Sequence, residues 1–195
     1  LPLGIVLRDL LGIAKTAREV RYVLQQREIL VDGKRRREPH FAVGPMDIVA
    51  IPATQQYFRM TIKADGTLHA LPIADGEQHK KLARIVGKRM RDAKHFQLTL
   101  SDGRTLTAAR TEKVQIGDSM LLELPGQKPV AQYPLTDGAA VYLFGGSHCG
   151  SMGTVQKIQG NMIHIRTGSE HFQTPKEYVF VVGKEKPAVQ VSIDG

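Results

Sequence analysis

RDLLGIAKTAREVRYVLQQREILVDGKRRREPHFAVGPMDIVAI, residues 8–51, decides how the rest of the chain is read. The stretch predicts two short helices followed by a small β element with a basic turn. Thr16 and Glu19 stand at the spacing of a capping box, so Thr16 caps a helix whose third residue is Glu19. Ala17, Val20 and Leu24, with Val23 beside them, recur at helical spacing and make an apolar stripe. Arg18, Arg21 and Gln25 then fall on another face, and Lys15 stands at the helix entry. Ile29, Leu30 and Val31 form an apolar run stopped by Asp32-Gly33, a tight-turn signal. The turn leads into Lys34, Arg35, Arg36 and Arg37, and a second strand over residues 47–51 follows the Gly44-Pro45 break. The expected product is an apolar minicore that presents one cationic helix face and one cationic loop. By itself a run of four cations reads equally well as a solvated surface. The cationic helix face beside it favours contact with a polyanion.

That order of elements resembles the S-four-type RNA-binding domain shared by some ribosomal proteins, pseudouridine synthases and bacterial-type tyrosyl-tRNA synthetases. The residues that carry the resemblance are 14–19 at the helix entry, 29–34 at the strand and turn, and 47–49.

Charge supports the same reading. The net charge of the 195-residue chain is +8 and its pI is about 9.7, which points to nucleic acid or an anionic membrane surface. The excess is concentrated in two zones, residues 1–50 at +3 and residues 79–115 at +7. Hydrophobic residues make up 42% of the chain, enough for a packed core. Asp-Gly pairs at Asp32, Asp65, Asp75, Asp102, Asp137 and Asp194 punctuate the chain into short strands. The expected fold class is α+β, mostly β: a small helical/β RNA-binding module, a β domain and an SH3-like barrel.

Residues 52–134 read as β, with a hairpin around Ala64-Asp65-Gly66, strands near 96–100 and 119–124, and a short helix over 77–82. Between these lies HKKLARIVGKRMR, residues 79–91, in which six of thirteen residues are Lys or Arg. Charges at this density repel one another unless an anion answers them. The segment is either a solvated strand–turn–strand or a ribbon that tracks phosphates through Lys80, Lys81, Arg84, Lys88, Arg89 and Arg91. The independent RNA module upstream favours the ribbon.

Residues 138–144 and 154–158 read as strands joined by the glycine-rich connection GGSHCGSMG, residues 145–153. Gly138, Val141, Gly146, Gly150, Gly153, Val155 and Ile158 resemble the KOW motif of small SH3-like barrels in ribosomal proteins and elongation factors. Members of that family place Lys or Arg in the loop. Here Ser147 and Ser151 stand there, which leaves backbone N–H groups and His148 to meet RNA.

Several function classes find no support. Cys149 is the single cysteine, so neither an internal disulfide nor a cysteine zinc site can be built, which suits a reducing, cytoplasmic setting. No run of eighteen apolar residues is present, so no membrane span is expected. The loop at 145–153 lacks the Lys-Ser/Thr that ends a P-loop. His40, His69, His79, His95, His164 and His171 do not pair at ligand spacing, and Gly-x-Ser-x-Gly is absent. No catalysis, cofactor, metal or small-molecule substrate is expected. With aromatics at 6% and no Trp, recognition of folded RNA by phosphate and shape fits better than single-strand stacking.

Taken together, an S-four-type domain (1–51), a basic β domain (52–134) and a KOW barrel (135–195) resemble the small-subunit ribosomal protein S-four-e family of archaea and eukaryotes. The resemblance implies a structural constituent of the ribosome that binds small-subunit ribosomal RNA and meets neighbouring ribosomal proteins. Members usually carry a basic segment ahead of the first helix, so residues upstream of Leu1 are expected. The compact length is of archaeal type. Two other readings remain at this stage: a KOW-containing transcription or translation factor, and an RNA-modifying enzyme using the same first module.

Overall fold

The structure, a computed structural model, describes residues 1–168 and 170–191. These divide into two compact units. The first holds residues 1–81 and 123–128 with Gln190 and Val191; the second holds residues 82–122 and 129–189.

In the first unit, α1 (Leu3–Ile5) runs on as a π-helical turn (Val6–Leu10) and buries Leu3, Val6 and Leu7. Helix α2 (Ala17–Gln26) starts where the sequence expects. The Glu19 N–H donates to Thr16 Oγ1 at 3.2 Å. The Glu19 carboxylate turns back to accept from the Lys15 N–H at 2.7 Å. Val20, Val23 and Leu24 enter the core, as their spacing demands. Ala17 does not: it is exposed at the first helical position, and Ala14 ahead of the helix joins the core instead.

Strands β1 (Leu30–Val31) and β2 (Lys34–Arg35) form a hairpin in the register Leu30↔Arg35 and Val31↔Lys34. Its two turn residues, Asp32 and Gly33, have φ of +51° and +73°. That is the type I′ geometry which Asp-Gly supplies and which matches the twist of the flanking strands. Strands β3 (Ile48–Ile51), β4 (Gln56–Ile62) and β5 (Leu68–Pro72) complete an antiparallel sheet ordered β2-β1-β3-β4-β5.

A second sheet has the order β10-β9-β6-β7-β8. Its strands are β6 (Lys80–Met90), β7 (His95–Leu100), β8 (Thr105–Ala109), β9 (Ser119–Glu123) and β10 (Lys128–Tyr133). Two expectations are corrected here. The helix over 77–82 reduces to a 3-10 turn, Glu77–His79, because the residues that follow run into β6 and bury Ala83 and Ile85 in a β core. The basic segment holds no turn: β6 is one continuous strand, and the register shift between Ile85 and Gly87 is a bulge.

The third sheet, β14-β13-β12-β11-β15, comprises β11 (Ala140–Leu143), β12 (Met152–Gln159), β13 (Met162–Thr167), β14 (Glu170–Pro175) and β15 (Val179–Gly183). Val141, Val155, Ile163, Ile165 and Val181 fill its core. The glycine loop joins β11 to β12. Gly153 opposes Val141 in the ladder, and a Cβ there would lie close against Ile165 Cγ2. Glycine is required at that point by close approach, not by backbone dihedral.

Candidate nucleic-acid interface

Sequence reasoning proposed one surface built from α2 and the hairpin that follows. Lys15, Arg18, Arg21, Lys34, Arg35 and Arg37 are all exposed. Arg35 Nη2 donates to the Gln25 carbonyl at 3.1 Å, so the basic strand is tied to the last turn of α2. That contact also places a cation on the carbonyl-rich helix end, where the dipole favours it. Arg36 is half-buried, its guanidinium 4.1 Å from the Phe41 ring centroid. The carboxylate of Glu19, the only acid on α2, is turned back toward Lys15. That backbone hydrogen bond, first of all, pulls its pKa below the ordinary range. The exposed helix face therefore carries two arginines and no carboxylate directed outward.

Lys81 has to be removed from the RNA-binding set. Its side chain is 1% exposed, and its Nζ lies 2.6 Å from Asp32 Oδ2 and 2.6 Å from Asp47 Oδ1. Asp32 Oδ1 also accepts from the Ile48 N–H at 3.0 Å, and Asp47 Oδ2 from the Gly44 N–H at 2.8 Å. The cation therefore pins the Asp-Gly turn and the 44–47 loop to the start of β6. Burial is the largest influence on Asp47 and raises its pKa, while Lys81 pulls it down. Removing one member of such a cluster strands the others without solvent, so it is a structural device. Arg59, which sequence reasoning passed over, is a second one. It is fully buried and donates to Glu77 Oε2 at 2.8 Å, the Gln190 carbonyl at 2.6 Å and the Lys80 carbonyl at 3.0 Å.

The other residues of the basic strand sort by what they touch. Lys80, Arg89 and Arg91 are exposed, and Arg91 donates to Thr107 Oγ1 at 2.9 Å. Arg84 is half-buried and donates to the carbonyls of Glu177 and Val179; burial lowers its pKa. Lys88 donates to the Val114 carbonyl at 2.8 Å and sits 4.1 Å from the Phe96 ring centroid. Arg84 and Lys88 thus brace the second unit. Lys94 and Arg110, unremarked in the sequence, are exposed at the same end of this sheet as Arg91. Arg91 N donates to the His95 carbonyl, and Arg110 N to that of Lys94. His148 does not project freely. Its ring stacks on Phe172 with centroids 3.7 Å apart and planes 11° from parallel.

Among the described residues no group of three or more His, Cys, Asp or Glu could hold a metal ion. No helix among them is long and apolar enough to cross a membrane.

A capped helix followed by a type I′ hairpin, with exposed cations on both, is the arrangement of the S4-type module that residues 8–51 resemble. A model of the S4 domain matches residues 5–49, and a model described as ribosomal family S4e matches residues 54–129. The small ribosomal subunit protein eS4 of Methanocella arvoryzae is 36% identical over 97% of this chain and 82% of its own length. Its counterpart in Methanopyrus kandleri is 35% identical over 97% of this chain and 81% of its own. The crystal structure of the 30S ribosomal protein S4e from Thermoplasma acidophilum superposes with a TM-score of 0.83 at 29% identity, covering 94% of each chain. The chain belongs to the S4e family of ribosomal proteins.

Proposed function

We propose that this protein is a structural constituent of the small ribosomal subunit, in the cytoplasm, that holds folded ribosomal RNA through basic surfaces and lies among other ribosomal proteins. The observation that carries the reading is the α2–hairpin surface, where Arg35 clamps the helix end and Lys15, Arg18, Arg21, Lys34 and Arg37 stand exposed. Arginine forks suit phosphate oxygens bidentately, and lysines serve as point charges. Arg89 and Arg91, joined by Lys94 and Arg110, form a second candidate surface in the second unit, and Lys80 stands exposed at the start of β6. Arg36 contributes through its exposed part, and His148 through the ring face turned away from Phe172. No catalytic step is assigned to any of these residues: the role is scaffolding, with neither cofactor nor small-molecule substrate.

The test is sedimentation. Added to small subunits depleted of their own S4e protein, the chain should travel with them and be displaced as salt rises, because every neutralised phosphate releases counterions. A chain that stays at the top of the gradient at low salt sinks the proposal.

A further inference from the structure

Tyr22 lies on the exposed side of α2 at 66% relative exposure, and among the Phe and Tyr of the described residues only Tyr178, at 36%, is otherwise open to solvent. At helical spacing its neighbours are Arg18 and Glu19 one turn before, the Glu19 carboxylate being turned back to the Lys15 N–H, and Gln25 and Gln26 one turn after. Gln25 carries the Arg35 guanidinium on its carbonyl. A phenol ring left in water, with Arg18 one turn away on the same helix and Arg35 tied to the helix end, meets two requirements of a nucleobase platform. It offers a flat π-face for stacking, and cations stand beside it for the flanking phosphates. A purely apolar protein partner would have to desolvate Arg18 without answering its charge, so charge favours RNA as the occupant. From this geometry we propose that Tyr22 stacks on one unpaired nucleobase of the bound RNA, and that the α2 surface prefers RNA carrying a bulged or looped nucleotide over continuous duplex. This rests on the RNA-binding reading above and deepens it, from shape and phosphate alone to one base.

The full chain is titrated into two RNA hairpins. One has a fully paired stem; the other has the same stem with a single bulged 2-aminopurine. The wild type should favour the bulged hairpin by about tenfold, within the range of base–aromatic stacking, and quench its fluorescence. Tyr22→Ala should lose both the preference and the quenching while keeping its salt dependence. Tyr22→Phe should retain both. Because Tyr22 is exposed, circular dichroism and thermal midpoint should be unchanged in either variant. Equal binding of both hairpins by the wild type, with steep salt dependence, overturns the stacking inference and leaves the RNA-binding reading standing. So does wild-type preference in Tyr22→Ala. Binding to neither hairpin at low salt removes both, and quenching abolished by a competing protein fraction but not by RNA would assign the ring to a protein partner.

Discussion

Lys81→Met is the substitution that best separates a cation that builds the fold from one that meets RNA. Methionine keeps the length and apolar stem of lysine and removes the charge. Two contacts of 2.6 Å through one nitrogen place the Asp32 and Asp47 oxygens within about twice that distance of each other. Like charges about 5 Å apart at an effective dielectric near 20 repel by about 3 kcal/mol. Breaking a buried ion cluster by deleting one partner typically costs about 3–5 kcal/mol, so a loss of that size is expected at pH 7. The sign of the pH effect follows from Asp47, whose pKa burial already raises in the native protein. A carboxyl with a raised folded-state pKa binds its proton more readily folded than unfolded. Removing Lys81, which pulls that pKa down, raises it further in the variant, so lowering the pH from 7 toward 5 stabilises the variant relative to wild type, and its deficit shrinks. The triple variant Asp32→Asn, Asp47→Asn, Lys81→Met retains an oxygen for the Ile48 and Gly44 N–H groups and carries no buried charge. It should recover most of the loss. Urea denaturation of the three proteins at both pH values measures all of this. A Lys81→Met protein within about 0.5 kcal/mol of wild type at pH 7, or a deficit that does not change with pH, would refute the reasoning.

Replacing exposed Arg89, Arg91 and Lys94 with Ala should leave the urea midpoint unchanged and flatten log K against log salt by about 2–3 units if all three touch phosphate; an unchanged slope makes that end of the sheet a solvated face. Gly153→Ala forces a Cβ against Ile165 and should cost about 1–3 kcal/mol, read as a lower thermal midpoint; an unaltered midpoint would mean that β13 yields easily. The three-module division at residues 51 and 134 is a proposal that limited proteolysis decides. The first sheet runs past residue 51 to Pro72, so cleavage near 134 should come first, and a single resistant core spanning both boundaries would count against the division.

What could be read from the chain, and what could not, divides by sequence separation. The start of α2 was legible because Thr16, Glu19, Val20, Val23 and Leu24 interact within one or two helical turns. The hairpin was legible because Asp-Gly fixes its own turn geometry. The fate of Lys81 was not, since its partners lie 49 and 34 residues away. The role of Arg59 depends on Gln190, 131 residues on. Composition reports that a segment is basic and is silent on which cations will be satisfied internally. The short helix over 77–82 failed for a related reason: Leu82, Ala83 and Ile85 suit either element over so few residues, and the neighbouring strands decided. The stacking of His148 on Phe172 likewise unites the glycine loop with the interior of β14, which no local spacing relates.

The distribution of cations explains how a chain this basic folds at all. Charges crowded into residues 79–91 would repel one another along a flexible segment, yet this segment is a continuous strand. Three of its six cations are spent inside the protein: Lys81 on two buried carboxylates, Arg84 on two carbonyls and Lys88 on a carbonyl and a ring. Each is neutralised or solvated by protein in place of water, which lowers the repulsion and fixes the strand. Lys80, Arg89 and Arg91 are then displayed from a rigid element. A rigid display reduces the conformational entropy lost when a phosphate is gripped. Net charge alone therefore overstates the RNA-facing surface of such a protein, because part of the charge builds the frame that presents the remainder.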